Sequence, residues 1–378
     1  LVTYNGGTNW YGYEIINSDP NSPKALFSWG YNNLGPLGQN DRVARSSPTQ
    51  VGSKYIWARI FKGSVGSHSV AQTTDGRTFT WGEGSDYQLG LGSDARVSSP
   101  TQLPGNWYMA RGGTSAGGGV KTDGTLWAWG NNNKGQMGQN NRTTAQDPVQ
   151  IPGTTWGTSN IEQLSVNSAS LECIKTDGTL WVWGYNGYGG LGQNNTTDYS
   201  SPVQIPGTTW KSTISRHSFE SGAIKTDGTL WMWGRNNLGQ LGQNNTTDYS
   251  SPKQIPGTTW KYSRGGNISS FGIKTDGTLW AWGNGQYGQL AQNNRTPYSS
   301  PKQIPGTTWA DITVGGEGAM LATKTDGTLW GWGGNRQGQL GQNNHTPTYF
   351  SSPVQIPGTD WATTDGIDGS NLVFIALK

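Results

Sequence analysis

Short apolar runs alternate along the chain with a polar turn built on Asp-Gly. The pattern is clearest in Lys121-Thr122-Asp123-Gly124-Thr125-Leu126-Trp127-Ala128-Trp129-Gly130, and near copies begin at Lys175, Lys225, Lys274 and Lys324. An Asp-Gly pair between two such runs is a strong hairpin signal, so each copy predicts two antiparallel strands joined by a type I′ turn.

Trp-Gly closes every copy and sets the period. It stands at Trp29, Trp81, Trp129, Trp183, Trp233, Trp282 and Trp332, with intervals of about 50 residues, enough for four short strands and their turns. Each unit then continues in a constant order. A loop such as Gln240-Leu241-Gly242-Gln243-Asn244 leads to Ser-Ser-Pro, a short strand ended by Pro-Gly, and a further tryptophan that opens an irregular strand. The prediction is an all-β, seven-bladed β-propeller of four-stranded blades over residues 21–378, numbered here by their Trp-Gly in chain order. Residues 1–20 match no repeat and are expected to act as an anchor or cap.

The ends of the chain complete one blade between them. Val373-Phe374-Ile375-Ala376-Leu377-Lys378 corresponds to the strand before an Asp-Gly turn, and Ala25-Leu26-Phe27-Ser28-Trp29-Gly30 corresponds to the strand after one. Pairing them closes the ring and covers edges that would otherwise remain open.

Composition agrees with many short strands: 59 glycines, 18 prolines and only 13% charged residues. A net charge of +3, with no run of Lys or Arg, gives no nucleic-acid footprint. No stretch is apolar for long enough to suggest membrane insertion. The start at Leu1 is expected for a processed protein or a piece of a longer one. The single cysteine, Cys173, sits in an apolar strand and reads as a small core residue.

The 20 tryptophans are mostly assigned by the repeat. Those of Trp-Gly, those opening the irregular strand (Trp57, Trp107, Trp156, Trp210, Trp260, Trp309, Trp361) and those two places before Trp-Gly (Trp127, Trp181, Trp231, Trp280, Trp330) recur at fixed positions, as blade-to-blade packing requires. Trp10 alone lies outside the repeat, and it is a candidate surface residue together with Tyr11. Leu37, Leu89, Met137, Leu191, Leu241, Leu290 and Leu340 supply one apolar plug per blade.

The unit Gly-x-x-x-Ser-x-x-x-x-Lys-Thr-Asp-Gly-Thr-Leu-Trp-x-Trp-Gly-x-Asn-x-x-Gly-Gln-Leu-Gly closely resembles the repeat of the regulator of chromosome condensation family, over residues 22 to 378. The resemblance implies a seven-bladed propeller with a blade split between the termini. Family members include a nuclear guanine-nucleotide exchange factor that binds a small GTPase and chromatin, secreted bacterial inhibitors of β-lactamases, and surface-displayed proteins. The family's His-Ser before the inner apolar residues is kept only at His68-Ser69.

The candidate chemistry is sparse. His68, His217 and His345 fall in different blades, the lone cysteine has no ligand partner, and neither a metal nor another cofactor is expected. The aspartates of Asp-Gly are turn residues. The unsystematic polar cluster is Arg216-His217-Ser218-Phe219-Glu220 in blade five, where Arg216, His217 and Glu220, together with His68, are candidate partner-binding residues. The identical loops holding Asn195 and Tyr199, and Asn245 and Tyr249, are candidate glycan contacts through amides and aromatic faces. These features point to a non-catalytic protein-interaction or structural propeller, displayed on a cell or virion surface as part of a larger assembly. A glycan-binding propeller is the first alternative, and a regulator of a GTPase or inhibitor of a partner enzyme is the second.

Overall fold

The computed structural model describes residues 24–61, 67–167, 169–214, 219–266, 268–343, 348–363, 366–370 and 373–378. Among them, 28 strands form seven antiparallel sheets of four strands each. In each of blades two to seven the four strands are consecutive in the chain.

Blade one is shared by the two ends of the chain. Strand Val373–Leu377 pairs with Leu26–Gly30 in a continuous register from Leu26↔Leu377 to Gly30↔Val373. Ile367–Ser370 completes the inner side and Arg45–Val51 the outer side. The same seam is sealed by apolar packing: Trp29, Phe374 and Ala376 of blade one share a buried cluster with Leu321, Leu340 and Ile356 of blade seven.

The hairpins form where expected, but with a different turn. Gly124 takes a positive φ of 78° and Asp123 does not. Gly124 N–H donates to the Lys121 carbonyl at 3.0 Å and Lys121 N–H to the Thr125 carbonyl at 2.9 Å. This is a type I turn followed by a left-handed glycine, the three-residue hairpin loop, in place of type I′. The Asp123 carboxylate explains the preference, because it accepts from both the Thr125 N–H (3.0 Å) and the Thr125 hydroxyl (2.6 Å) and so holds the turn from within.

The three tryptophan positions do three different jobs. Those of Trp-Gly reach across to the preceding blade, where the indole N–H donates to a backbone carbonyl: Trp129 to Gln88 and Trp183 to Gln136 at 2.8 Å, Trp282 to Gln240 at 2.9 Å. Those two places earlier are half-buried and donate to the turn threonine, as Trp181 does to Thr179 Oγ1 at 2.9 Å. Those opening the inner strand are buried and meet the Trp-Gly ring edge-on, with Trp260 and Trp282 centroids 5.8 Å apart. The hairpin lysine lies over two of these rings, Lys225 Nζ being 4.8 Å from Trp210 and 4.4 Å from Trp231.

The conserved-looking loop of each unit is also explained by the blade junction. Asn132, Asn186 and Asn236 are buried, and their Oδ1 atoms accept from the plug residues Met137, Leu191 and Leu241. Asn140 N–H then donates to the Ser200 carbonyl of the next blade at 2.8 Å, and Asn194 does the same to Ser250 at 2.7 Å. Gly135 lets the two backbones meet: φ is +81°, and a Cβ there would lie 2.6 Å from Ser200 Cα. Cys173 is buried and free, and burial pushes its thiol well above the ordinary range, so it packs as a hydrophobe.

Candidate functional site

Strand direction gives the ring two unlike ends. The Asp-Gly end repeats from blade to blade, and its aspartates are held below their ordinary pKa, first by the hydroxyl and then by the backbone N–H of the turn threonine. The opposite end carries the loops after Trp-Gly, whose residues change between blades. Variation in an otherwise uniform scaffold marks the end able to discriminate a partner.

The largest departure lies between blades three and five. Gln88, Gln136, Gln240, Gln289 and Gln339 turn their side-chain oxygens back onto the N–H two residues earlier, whereas blade four has Gly190 in that place. The missing side chain leaves a cavity of about 10 Å³, lined by Asn167, Ser170, Tyr185, Tyr188, Phe219 and Glu220, among others. That is the size of one water site. Three rings cap it: Phe219 is 5.1 Å from both Tyr185 and Tyr188, which are 6.5 Å apart. Phe219 is 37% exposed, one of few large apolar side chains so placed. Burial, and then the neighbouring Tyr188, raise the Tyr185 hydroxyl above its ordinary pKa.

Cations border this cap. Lys134 Nζ lies 5.1 Å over Tyr185, and the Arg235 guanidinium lies 4.9 Å over Tyr188. Neither forms an ion pair among the described residues. A second patch of similar chemistry occupies blades six and seven, where Tyr287 and Tyr349 are 5.6 Å apart and Arg295 and Arg336 lie 5.0 and 5.5 Å over Tyr349. Arg336 also donates to the Tyr349 hydroxyl.

At the centre of the ring, Glu162 joins two arginines. Its carboxylate oxygens lie 3.1 Å from Arg111 Nη2 and 2.8 Å from Arg264 Nη2, contributed by the inner strands of blades three and six. Those blades are not neighbours, so the carboxylate must stand near the axis. Burial lowers the pKa of Arg111, offset in part by Glu162, whereas at Arg264 burial, the largest single cause, is outweighed by Glu162, Tyr262 and Asp311 acting together, and the pKa is raised. Both arginines remain charged. Glu162 is carried by a short 3-10 turn, Ile161–Gln163, capped by Asn160. The signal missed in the sequence is the 54-residue interval from Trp129 to Trp183, the longest of the set, which makes room for this turn.

The predicted site residues fall into four groups. Trp10, Tyr11, Arg216 and His217 lie outside the described residues. Glu220 is 1% exposed and lines the cavity under Phe219, so these two residues of blade five and the blade-four aromatics form one place. His68 is buried against Gly112 in the next blade, away from that place, and burial lowers its pKa to about 4. In the candidate glycan loops, Asn195 Nδ2 donates to the Tyr199 hydroxyl at 3.1 Å and Asn245 Nδ2 to the Tyr249 hydroxyl at 3.0 Å. Those amides and phenols therefore bond to one another within the loop.

Comparison with known proteins agrees with this architecture. The chain is 25% identical over 181 residues to the ultraviolet-B receptor UVR8 of Arabidopsis thaliana, covering 47% of this chain and 41% of that protein. The chain thus spans less than half the length of this relative. Two solved structures share the fold: Prp20p of Saccharomyces cerevisiae (TM-score 0.80, 17% identity, 94% of this chain and 91% of that one) and human WBSCR16 (TM-score 0.78, 16% identity, 94% and 98%). The profile described as "Regulator of chromosome condensation (RCC1) repeat" matches residues 75–108, 123–164, 177–215, 227–267, 276–322 and 326–363. With the repeated hairpin, the blade shared by both termini and more than half of its length matched, the chain belongs to the regulator of chromosome condensation (RCC1) repeat family.

Proposed function

We propose that this protein is a non-catalytic interaction propeller that docks a protein partner on the end of the ring bearing the post-Trp-Gly loops. The observation that carries the reading is the cap of Tyr185, Tyr188 and Phe219 with Lys134 and Arg235 at its border. An exposed phenylalanine and two half-buried tyrosines, beside cations that form no ion pair among the described residues, have the composition of an interface hot spot. Work on Prp20p concerns its binding to Gsp1p and histones, and another structure shows it with Kap60, so protein partners are known for a protein of this fold.

The test is affinity capture with the wild-type chain, followed by reconstitution with the purified partner and with Phe219→Ala and Arg235→Glu. Loss of binding with an unchanged melting temperature supports docking at the cap. Full binding by both variants removes it. Capture of a GTPase or of an inhibited enzyme would assign the regulator or inhibitor reading. We further propose display on a cell or virion surface as part of a larger assembly, motivated by low charge and by loops rich in Asn and Thr. Protease shaving of intact cells or particles checks it: retention of the protein after shaving would place it elsewhere.

A further inference from the structure

We propose that the side wall of the propeller binds carboxylated sugar residues in the groove between blades three and four, a site distinct from the docking end. The groove has a volume of about 340 Å³, within the range of small-molecule sites, about 300–1,000 Å³. Its apolar surface comes from Trp181, Pro152 and Pro202 over the buried Trp156, and its polar groups include Lys175, Asn140 and Ser201. This is the composition that a pyranose meets in a binding site: aromatic and aliphatic surface for its C–H face, amide and hydroxyl for its hydroxyl groups.

Three observations favour that occupant. The Asn140 and Ser201 side chains make no hydrogen bond among the described residues, whereas Asn293 and Ser352, their counterparts between blades six and seven, bond to each other at 3.5 Å. Trp156 is 1% exposed and its Nε1 has no acceptor among the described residues, while Trp210, Trp260 and Trp309 donate theirs to proline carbonyls at 3.2 to 3.3 Å. Lys175 is the sole charged residue of the lining, so a carboxylate is favoured over a neutral or cationic group. A proline-rich peptide fits less well. Its uncharged residues would leave Lys175 without a counter-ion, and the half-buried Trp181 has already given its indole N–H to Thr179.

The residue types of this lining recur at the next two junctions. Lys225 lies 4.4 Å over Trp231 and Lys274 lies 4.4 Å over Trp280, compared with 4.3 Å for Lys175 over Trp181. Lysine-over-tryptophan pairs thus repeat along the wall, which suits a repeating acidic polysaccharide by multivalency.

The experiment is saturation-transfer NMR and calorimetric titration of the intact protein with digalacturonate, sialyllactose, lactose and decaproline. Digalacturonate or sialyllactose should bind, and lactose and decaproline should not. Replacing the three lysines together (Lys175→Gln, Lys225→Gln, Lys274→Gln) should weaken the acidic sugars about tenfold or more, as expected for loss of a charge-assisted contact. Trp181→Phe guards against misfolding, since Phe79 holds the same place in blade two; it should reduce the number of bound sugars while leaving the melting curve intact. Equal binding of lactose, binding of decaproline, no binding of either acidic sugar, or full acidic-sugar binding by the lysine variant would each overturn the proposal.

Discussion

The indole N–H of Trp29 donates to the carbonyl of Gln339 at 2.9 Å, joining residues 310 apart in sequence. Its geometry matches that of Trp183 with Gln136 at 2.8 Å, so the seam is held as an ordinary junction is held. Trp29→Phe leaves a buried carbonyl without its donor and should cost about 1–3 kcal/mol. Trp183→Phe should cost a similar amount, and denaturant melts of both variants check the equivalence. Deleting residues 371–378 removes strand Val373–Leu377, the partner of both Leu26–Gly30 and Ile367–Ser370, and should abolish cooperative melting. A transition unchanged by that deletion would refute closure by a shared blade.

Glu162→Gln removes one negative charge from between two buried arginines. An uncompensated buried charge costs about 3–5 kcal/mol, far more than loss of a surface ion pair. Melting temperature should fall clearly, while Arg77→Gln, which breaks the exposed Asp75–Arg77 pair, should have little effect. A mild loss at Glu162 would mean that water or another group shields the arginines.

What could be read in advance follows from repetition. A hairpin seen several times at a fixed spacing is overdetermined, and the strands of blade one could be aligned to the copies even though they lie at opposite ends of the chain. The turn type was not legible, because Asp-Gly suits both a type I′ turn and a type I turn with a left-handed glycine, and the choice is made by Thr125 bonding to Asp123. Glu162 was hidden for another reason. Its arginines lie 51 and 102 residues away, and nothing local couples them. Gly190 was in plain view as a departure from glutamine, but its meaning depends on Phe219 from the next blade lying above it.

Gly190→Gln tests that meaning. A Cβ at Gly190 would lie 2.9 Å from the Phe219 carbonyl, so the glutamine can take its usual place only if the Phe219 segment moves. The ring contacts of Phe219 with Tyr185 and Tyr188 should then be lost, visible as changed aromatic shifts in NMR. Stability should change by about 1–3 kcal/mol, as for other overpacked sites. Unaltered aromatic shifts would show that the cap does not depend on the missing side chain.

His68 should make stability fall in mildly acidic solution. Its ring is 5% exposed, neither nitrogen has a hydrogen-bond partner among the described residues, and burial lowers its pKa to about 4 from 6.5. The folded state therefore holds the neutral ring. Above pH 6.5 both states are neutral and the residue adds no pH dependence. As pH falls through 6.5 the unfolded chain gains a proton that the folded chain refuses until about pH 4, so unfolding is favoured progressively across that window. The full difference is on the order of 3 kcal/mol, using about 1.4 kcal/mol per pKa unit. His68→Gln cannot titrate, and its melting temperature should fall less than that of the wild type between pH 6.5 and 4. Parallel pH profiles for the two proteins would show that His68 is protonated as readily in the folded ring as in the unfolded chain.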